Sequence, residues 1–596
     1  MSVTVVIGWA AYVNSFQAPF VYDDLGNIVT NRDLQAFKFG EVSSYMGTRS
    51  LPHASLALNY RVGQLNVFGY HLVNWLIHVL VALVLFWLSL ALARICYHQV
   101  STYRLAGLTW DTHIVFALFV SLVFVSHPLA TEAVTYTIQR IVSLTVLLYL
   151  LAIATYVQWR LSDKSWRWLW AVASLATTLL AMHSKEIAFT IPLAIVWLEL
   201  CFFLFRKAAT TGRLRQRRVW TRLLFLLPWL SLLLYLPWRL YGYLILSSGG
   251  SAMPADVTGS VDAAAAVSSG LTPLSRAVYL MTQFGVLLTY LRLLIFPVGQ
   301  SIDHDYVIHY SLFDVPALAG LLVVVGLLVL TLWLWPRRRI MSFGIGFFFL
   351  NMVMESSILP LLEVVAEYRL YLPLVGFALV AGDMLVLLHT KIIRWKILQA
   401  AVVVIILLLA VLTFQRNNIW RGPILLWQDA IAKAPDKARP HNNLGTLLLE
   451  QGKYTEAASH FQQAVEIDPM YAHAHNNLGT AFGMMGRLEE AAAEYQRVLE
   501  LNPNIMTASI NLGIIYLKQE QLGKAEGQLT KAAAQLEGAV QRDPRSARAR
   551  AILGTVYAQQ GKLEAAREQF EKVLEIDPND NGTRKNLELV RAMLSR

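Results

Sequence analysis

Two adjacent carboxylates, Asp23 and Asp24, stand directly after the first apolar stretch, in the run from Phe20 and Tyr22 to Gly26 and Asn27. Ionised carboxylates at a lipid surface are costly, so they are usually paired or used. One of them can act as general base on an acceptor hydroxyl, with its neighbour oriented to a metal or to the acceptor. An acidic turn or a helix N-cap is the plainer alternative. Adjacency alone does not choose between the two aspartates.

Four further polar sets interrupt the apolar chain. His127, Glu132, Tyr136 and Arg140 fall in the run 127–140. His127 and Glu132 do not have the spacing of a helical metal pair, and a His before Pro128 reads more readily as a cap. Arg140 opens an apolar span and needs an anion or a deep polar partner. Lys185 and Glu186 occupy a very short connection, as a hairpin held in the headgroups or as a contact for a lipid phosphate. Asp303, His304 and Asp305 alternate carboxylate and imidazole. That pattern suits a divalent cation, Mg or Mn, or a solvated loop. Glu367, Arg369 and Tyr371 close the series. Arg369 sits at a span end, where a phosphate or the Glu367 carboxylate would pair with it and where snorkelling is the bland alternative. Each set is weak singly. Their convergence on one side of an apolar bundle points to a site handling an anionic lipid and a polar acceptor.

The elements that must position these residues are membrane spans. The chain has 596 residues, of which 56% are hydrophobic and 15% charged; a soluble domain carries nearer a quarter charged. The deficit lies in residues 1–415, and a charged, helical, soluble composition begins near Arg416. Apolar stretches at about 3–16, 70–95, 112–126, 137–158, 166–182, 187–205, 220–246, 315–335, 342–361, 369–389 and 395–414 predict about eleven spans. The first is short against the roughly 20 residues of a full span. A further stretch, 276–297, contains Arg276, Gln283 and Arg292 and is read as re-entrant or interfacial.

The net charge of +11 sits in alternate short connections. These hold Arg94 and Arg104, then Arg160, Lys164 and Arg167, then Arg206 to Arg218, then Arg337 to Arg339, then Lys391, Arg394 and Lys396. The positive-inside rule makes that side cytoplasmic, so topology explains the charge and no nucleic-acid partner is expected. The connections 17–69, 127–136, 247–314 and 362–368 then lie outside, as does the C-terminal part. Cys96 and Cys201 lie at or in apolar segments and form no readable disulfide framework or Cys-rich metal site.

The C-terminal part repeats. Asn-Leu-Gly recurs at 443–445, 477–479 and 511–513, Leu553 and Gly554 mark a fourth copy, and closing prolines stand at Pro469, Pro503, Pro544 and Pro578. The period is 34 residues except for a seven-residue insertion near 533–539 in the third copy. Small residues recur where paired helices must touch, Gly445 with Ala457 for example, and Phe461, Tyr495 and Phe570 fill the next layer. This is the tetratricopeptide pattern. It predicts a stacked helical solenoid over 438–580 after a linker at 416–437, with a solvating cap helix at 581–596. Its concave groove would hold a protein or peptide segment, or contact only the chain's own membrane part or a sister subunit.

The chain resembles the transmembrane and tetratricopeptide-repeat (TMTC-like) proteins and their bacterial relatives, within the GT-C superfamily of glycosyltransferases. The segments that carry the resemblance are FVYDDLGNIVTN (20–31), RSLPHASLALNY (49–60), FGYHLVNWLIHVL (68–80), HPLATEAVTYTIQR (127–140), SKEIAFTIPL (184–193), LRLLIFPVGQSIDHDY (291–306) and AEYRLYLPLVGFAL (366–379), followed by the repeats. The resemblance implies an all-α fold: a GT-C-like membrane bundle over 1–415, then the repeat solenoid. It implies a polyprenyl-phosphate sugar as donor and, as in the eukaryotic O-mannosyltransferases, a Ser or Thr hydroxyl as acceptor. The catalytic aspartate maps to Asp23 or Asp24. Basic residues at span ends would hold the donor phosphate: Arg369 first, then Arg140, Lys185 and Arg49. The chain departs from the pattern at Tyr368, where His often precedes the arginine, and at Ser50, where Pro often follows. In a bacterial inner membrane the repeats would lie in the periplasm; in a eukaryote they would lie in the lumen of the endoplasmic reticulum.

Two other readings compete. A transferase acting on a glycan or lipid would share these residues. A membrane-anchored scaffold would make Asp23 and Asp24 dispensable. A transporter would place charge at the midplane and show inverted repeats, and neither is evident.

Overall fold

A computed structural model describes residues 1–36, 49–97, 102–105, 108–204, 225–235, 274–356, 361, 363–391, 395–544, 546–578 and 580–595. Apart from an antiparallel hairpin pairing Thr102–Leu105 with Leu108–Asp111, the described elements are helical. The chain divides into two compact units at Lys433 and Ala434.

Among the described residues of the first unit six helices are long and apolar enough to cross a membrane: Val67–Cys96, Thr137–Leu161, Glu186–Phe203, Arg276–Ile295, Val315–Leu334 and Trp395–Ile419. A seventh candidate is bent by 54° between Thr112–Ser126 and Pro128–Thr135. The bend falls at His127-Pro128, where proline has no N–H to continue the ladder. Ser2–Tyr12, Trp168–Met182, Arg339–Met352 and Pro373–Lys391 complete the bundle as shorter apolar helices. Each expected stretch other than 220–246 carries one of these helices. That stretch and the basic run Arg206 to Arg218 lie largely or wholly outside the described residues, as does Arg394.

The stretch expected not to cross is one continuous helix, Arg276–Ile295. Along its length it bonds to Glu355 in the expected span 342–361, to 364–366 and to His127. Tyr279 Oη donates to Glu355 O, Gln283 Nε2 to Val364 O and Tyr290 Oη to Ala366 O, while Leu294 O meets His127 Nε2. By length and composition this helix qualifies to cross a membrane, where a re-entrant or interfacial segment was expected.

The described basic connections meet buried acids. Tyr97 Oη donates to Asp383 at 2.6 Å, and Arg338 lies 3.6 Å from the same carboxylate. Tyr156 and Arg160 share Glu199 in the same way, both at 2.7 Å. These two buried acids are thus paired. Helices approach closely where glycines face: a Cβ on Gly344 would stand 2.6 Å from Gly376 O.

A second, smaller core lies apart from the main one. It joins Val21, Ile28 and Leu34 to Leu56, Tyr70, Tyr136, Ile138, Trp420 and Leu426. The region expected as a linker, 416–437, contributes to this core. Arg416 to Ile419 end a long helix, and Pro423–Lys433 is a helix of the first unit.

The repeat unit is four helix pairs and a final helix, Asn581–Leu594. In each pair a glycine of the first helix admits a large side chain of the second: Gly445 takes Phe461, Gly479 takes Tyr495, Gly513 takes Leu529 and Gly554 takes Phe570. The second helices of the first, second and fourth pairs have 14 residues each, and that of the third, Leu522–Arg542, has 21. The insertion is therefore two added helical turns, which keeps the buried face in register.

Candidate active site

The two aspartates differ in burial. Asp24 is buried, and its carboxylate accepts from Val21 N–H at 3.2 Å and Ile138 N–H at 2.8 Å. Burial pushes its carboxyl up to about 8, against the pull of those two donors and with a smaller push from Asp23. Asp23 is exposed, and its backbone N–H donates to Tyr136 Oη at 3.0 Å. Tyr22, just before it, has φ +48°, a left-handed conformation uncommon outside glycine. A neutral Asp24 puts no like charge beside Asp23.

The segment 132–140 links this loop to the basic side of the site. At one end Tyr136 and Ile138 hold the aspartate loop. One helical turn away, the Glu132 carboxylate accepts from Tyr368 N–H at 2.9 Å; four residues of helix rise about 6 Å. The Tyr368 ring lies under Lys185 Nζ, 4.9 Å from its centroid, and Lys185 pairs with Glu355 at 2.5 Å. Arg369 is buried beside them. Its terminal nitrogens donate to Val364 O and Glu363 O, and its buried Nε has no partner. A buried unpaired donor on a cation is expensive, and an oxyanion is the group that satisfies it best.

Glu367 does not pair with Arg369. It accepts from Gln300 Nε2, Ser301 N–H and His304 Nε2 at 2.9, 2.7 and 2.8 Å. Burial raises its carboxyl, but the His304 bond and charge outweigh that, and the net direction is below the ordinary value.

Several expected site residues take other roles. Arg140 is buried in the wall, where Nε donates to Asn74 and the terminal nitrogens to Ser55 O, Asn59 and Tyr70 O. Its donors are spent on neutral partners, so it organises the site's floor and does not face a donor phosphate. His127 caps the turn after the bend, accepting from Leu129 N–H and meeting Leu294 O. Tyr371 Oη meets His78 Nδ1 at 2.7 Å, deep in the main core. Arg49 pairs with Glu186 at 3.6 Å. Asp303 is buried while Asp305 is exposed, and among the described residues no three His, Cys, Asp or Glu side chains group to hold a metal. The residues at 303–305 therefore do not fit the expected divalent cation.

Other participants were missed from sequence. Glu355 carried a signal, an acid closing an apolar stretch. Trp420, its ring 5.4 Å from that of Tyr136 and tilted by 33°, and Trp427, edge-on to Tyr22 at 5.5 Å, lay in the expected linker and carried none.

These features define a multi-pass membrane protein with a C-terminal tetratricopeptide solenoid. Residues 445–486, 472–505 and 525–581 match models described as TPR or tetratricopeptide repeats. Across 521 residues the chain is 28% identical to Protein O-mannosyl-transferase Tmtc3 of Drosophila melanogaster, covering 76% of this chain and 54% of that one. It is 26% identical over 509 residues to Protein O-mannosyl-transferase TMTC4 of Homo sapiens, covering 76% and 65%. The chain thus spans between half and two thirds of the length of these relatives. Among solved structures, the tetratricopeptide-repeat protein YrrB is 24% identical, covering 28% of this chain and 84% of that one, with a TM-score of 0.22.

Proposed function

We propose that the chain is a membrane glycosyltransferase that moves a sugar, mannose, from a polyprenyl-phosphate carrier to a Ser or Thr hydroxyl of a protein on the extracytoplasmic face. One observation carries the reading. The segment 132–140 holds an exposed carboxylate, Asp23, at one end and, through Glu132 and Tyr368, a buried arginine with an unpaired Nε at the other. A transferase of this kind needs a base for the acceptor and a cation for the departing phosphate. The names of the similar proteins support the same chemistry.

In this mechanism Asp23 takes the proton of the acceptor hydroxyl. The acceptor oxygen bonds to the anomeric carbon as the bond from that carbon to the phosphate oxygen breaks. The electron pair leaves on the phosphate, where Arg369 and Lys185 stabilise the growing charge. A single displacement inverts the anomeric centre. Asp24 stays out of the chemistry and holds the loop through Val21 and Ile138. The repeats hold the protein acceptor.

The test is label transfer from polyprenyl-phosphate mannose to a Ser/Thr-rich acceptor pool, with the full chain in lipid. Asp23→Asn should abolish transfer with folding intact. Transfer that survives Asp23→Asn would remove Asp23 as the base, and failure of every lipid-linked donor to bind would favour the scaffold.

A further inference from the structure

The helix Pro423–Lys433 touches both halves of the site. At its middle, Leu426 is fully buried in the small core under the aspartate loop, together with Val21, Ile28, Tyr136 and Ile138. Next to it Trp427 is 4% exposed, with its ring 5.5 Å from that of Tyr22 at 79°. At its end Lys433 Nζ donates to Gln300 O at 2.5 Å, and Gln300 Nε2 donates to Glu367 at 2.9 Å. Asp429 locks the helix to the preceding span, pairing with Arg416 at 2.9 Å and with Lys433 at 2.6 Å.

Tyr22 is the residue under tension. Its φ of +48° is a conformation that a bulky L-residue enters only when its surroundings hold it there. The turn it makes precedes the exposed Asp23 and the buried Asp24, which both bond to the segment 136–138. The contact with Trp427 is the aromatic packing that holds the Tyr22 ring in place.

We propose that Pro423–Lys433 is a positioning strap, in which Trp427 holds Tyr22 in its left-handed turn and so fixes the position of the Asp23 carboxylate. Trp427 is a positioning residue that acts through Tyr22. Lys433 does the same for the opposite wall by fixing the connection that carries Gln300 to Glu367. The proposal rests on the reading of Asp23 as the base, but its structural half stands without it.

The experiment compares native protein, Trp427→Ala, Trp427→Phe and the double variant Trp427→Ala/Tyr22→Asn, each as full chain in lipid nanodiscs. Amide hydrogen exchange over 20–31 is read beside exchange in the repeats, and mannose transfer is measured on the same samples. Trp427→Ala should speed exchange over 22–27 by about tenfold while the repeats stay unchanged. It should lower kcat with the donor KM held. Trp427→Phe keeps a ring against Tyr22 and should restore both. Asparagine tolerates the left-handed region, so the double variant should recover part of the protection. Unchanged exchange over 22–27 in Trp427→Ala overturns the strap whatever transfer does. Absence of transfer in the native protein, with exchange responding as expected, removes the proposed function and leaves the strap. General loosening of all segments in Trp427→Ala, with no rescue by phenylalanine, reduces Trp427 to a core residue and also overturns the proposal.

Discussion

The Asp24 carboxylate lies 2.8 Å from the Ile138 N–H, across 114 residues of chain, and accepts from it while Asp23 beside it faces solvent. The pair therefore separates into a residue that builds the loop and one that is presented by it. Asp24→Ala leaves two buried N–H groups without acceptors, at a cost of about 1–3 kcal/mol for each. Asp24→Asn keeps one acceptor oxygen in nearly the same shape and should cost about half as much. Asp23→Asn keeps an oxygen that can accept from the Tyr136 hydroxyl and should change Tm less than Asp24→Ala, while ending transfer. Thermal unfolding of the three variants, read beside transfer, checks the division of labour. An Asp24→Asn protein of native activity and an inert Asp23→Asn protein is the expected outcome.

The same burial sets a pH dependence. The folded Asp24 carboxyl stands near pH 8 and the unfolded one near 3.8. Between those values the folded state holds a proton that the unfolded state has released. Its contribution to stability is full below the unfolded value and is lost as pH rises through about 8. Native Tm should therefore decline between pH 5 and pH 9 more steeply than the Tm of Asp24→Asn, which has no proton there to lose. Equal slopes in the two proteins would show that the carboxyl ionises freely in the fold.

The repeats contain a strut that the third copy lacks. His475 meets Pro469 O at 3.1 Å and the Glu494 carboxylate at 2.6 Å, and Arg550 donates to Pro544 O and to Gln569, both at 2.9 Å. The matching third-repeat pair is Ser509 and Gln528, and Ser509 Oγ and Gln528 Oε1 are buried without partners. Its turn also places Glu520 at φ +60°, where the other copies have Gly452, Gly486 and Gly561. Ser509→Arg recreates the Arg550–Gln569 arrangement, because Gln528 already stands at the matching position. We expect a gain of about 1 kcal/mol from that change and a similar one from Glu520→Gly. Hydrogen exchange across 506–542 in the full chain should slow in both variants.

Part of this was legible and part was not, for physical reasons. The solenoid was readable because each repeat must place small and large residues at the same positions, so even the insertion declared its length. The convergence of polar sets was readable because polar groups are rare in apolar chain. The roles within each set were not. Spacing cannot tell Asp23 from Asp24, since the distinction depends on a left-handed turn at a tyrosine. Arg140 looked like a phosphate ligand because its partners Asn59, Asn74 and Tyr70 are 66 to 81 residues away in sequence. Trp427 and Lys433 fell in a segment whose composition is that of any amphipathic linker.

The last prediction concerns the phosphate. Lys185 pairs with Glu355, so the acid offsets one of the two positive charges assigned to the leaving group. Arg369 donates to the backbone oxygens of Val364 and Glu363 and bonds to the Tyr279 hydroxyl, and Glu355 acts on it only through space. Arg369 should then dominate donor affinity, and Glu355 should limit it. Arg369→Lys keeps the charge but loses the planar fork and the Nε donor, and should weaken binding of polyprenyl phosphate about tenfold. Glu355→Gln frees Lys185 and removes a negative charge, so it should tighten binding by several-fold, with a steeper loss of affinity as salt is added. Titration of polyprenyl phosphate against each protein in nanodiscs reads both effects without any need for transfer. Weaker binding in Glu355→Gln would mean that the Lys185–Glu355 pair serves the fold, and Arg369 would be left as the sole cation assigned to the donor.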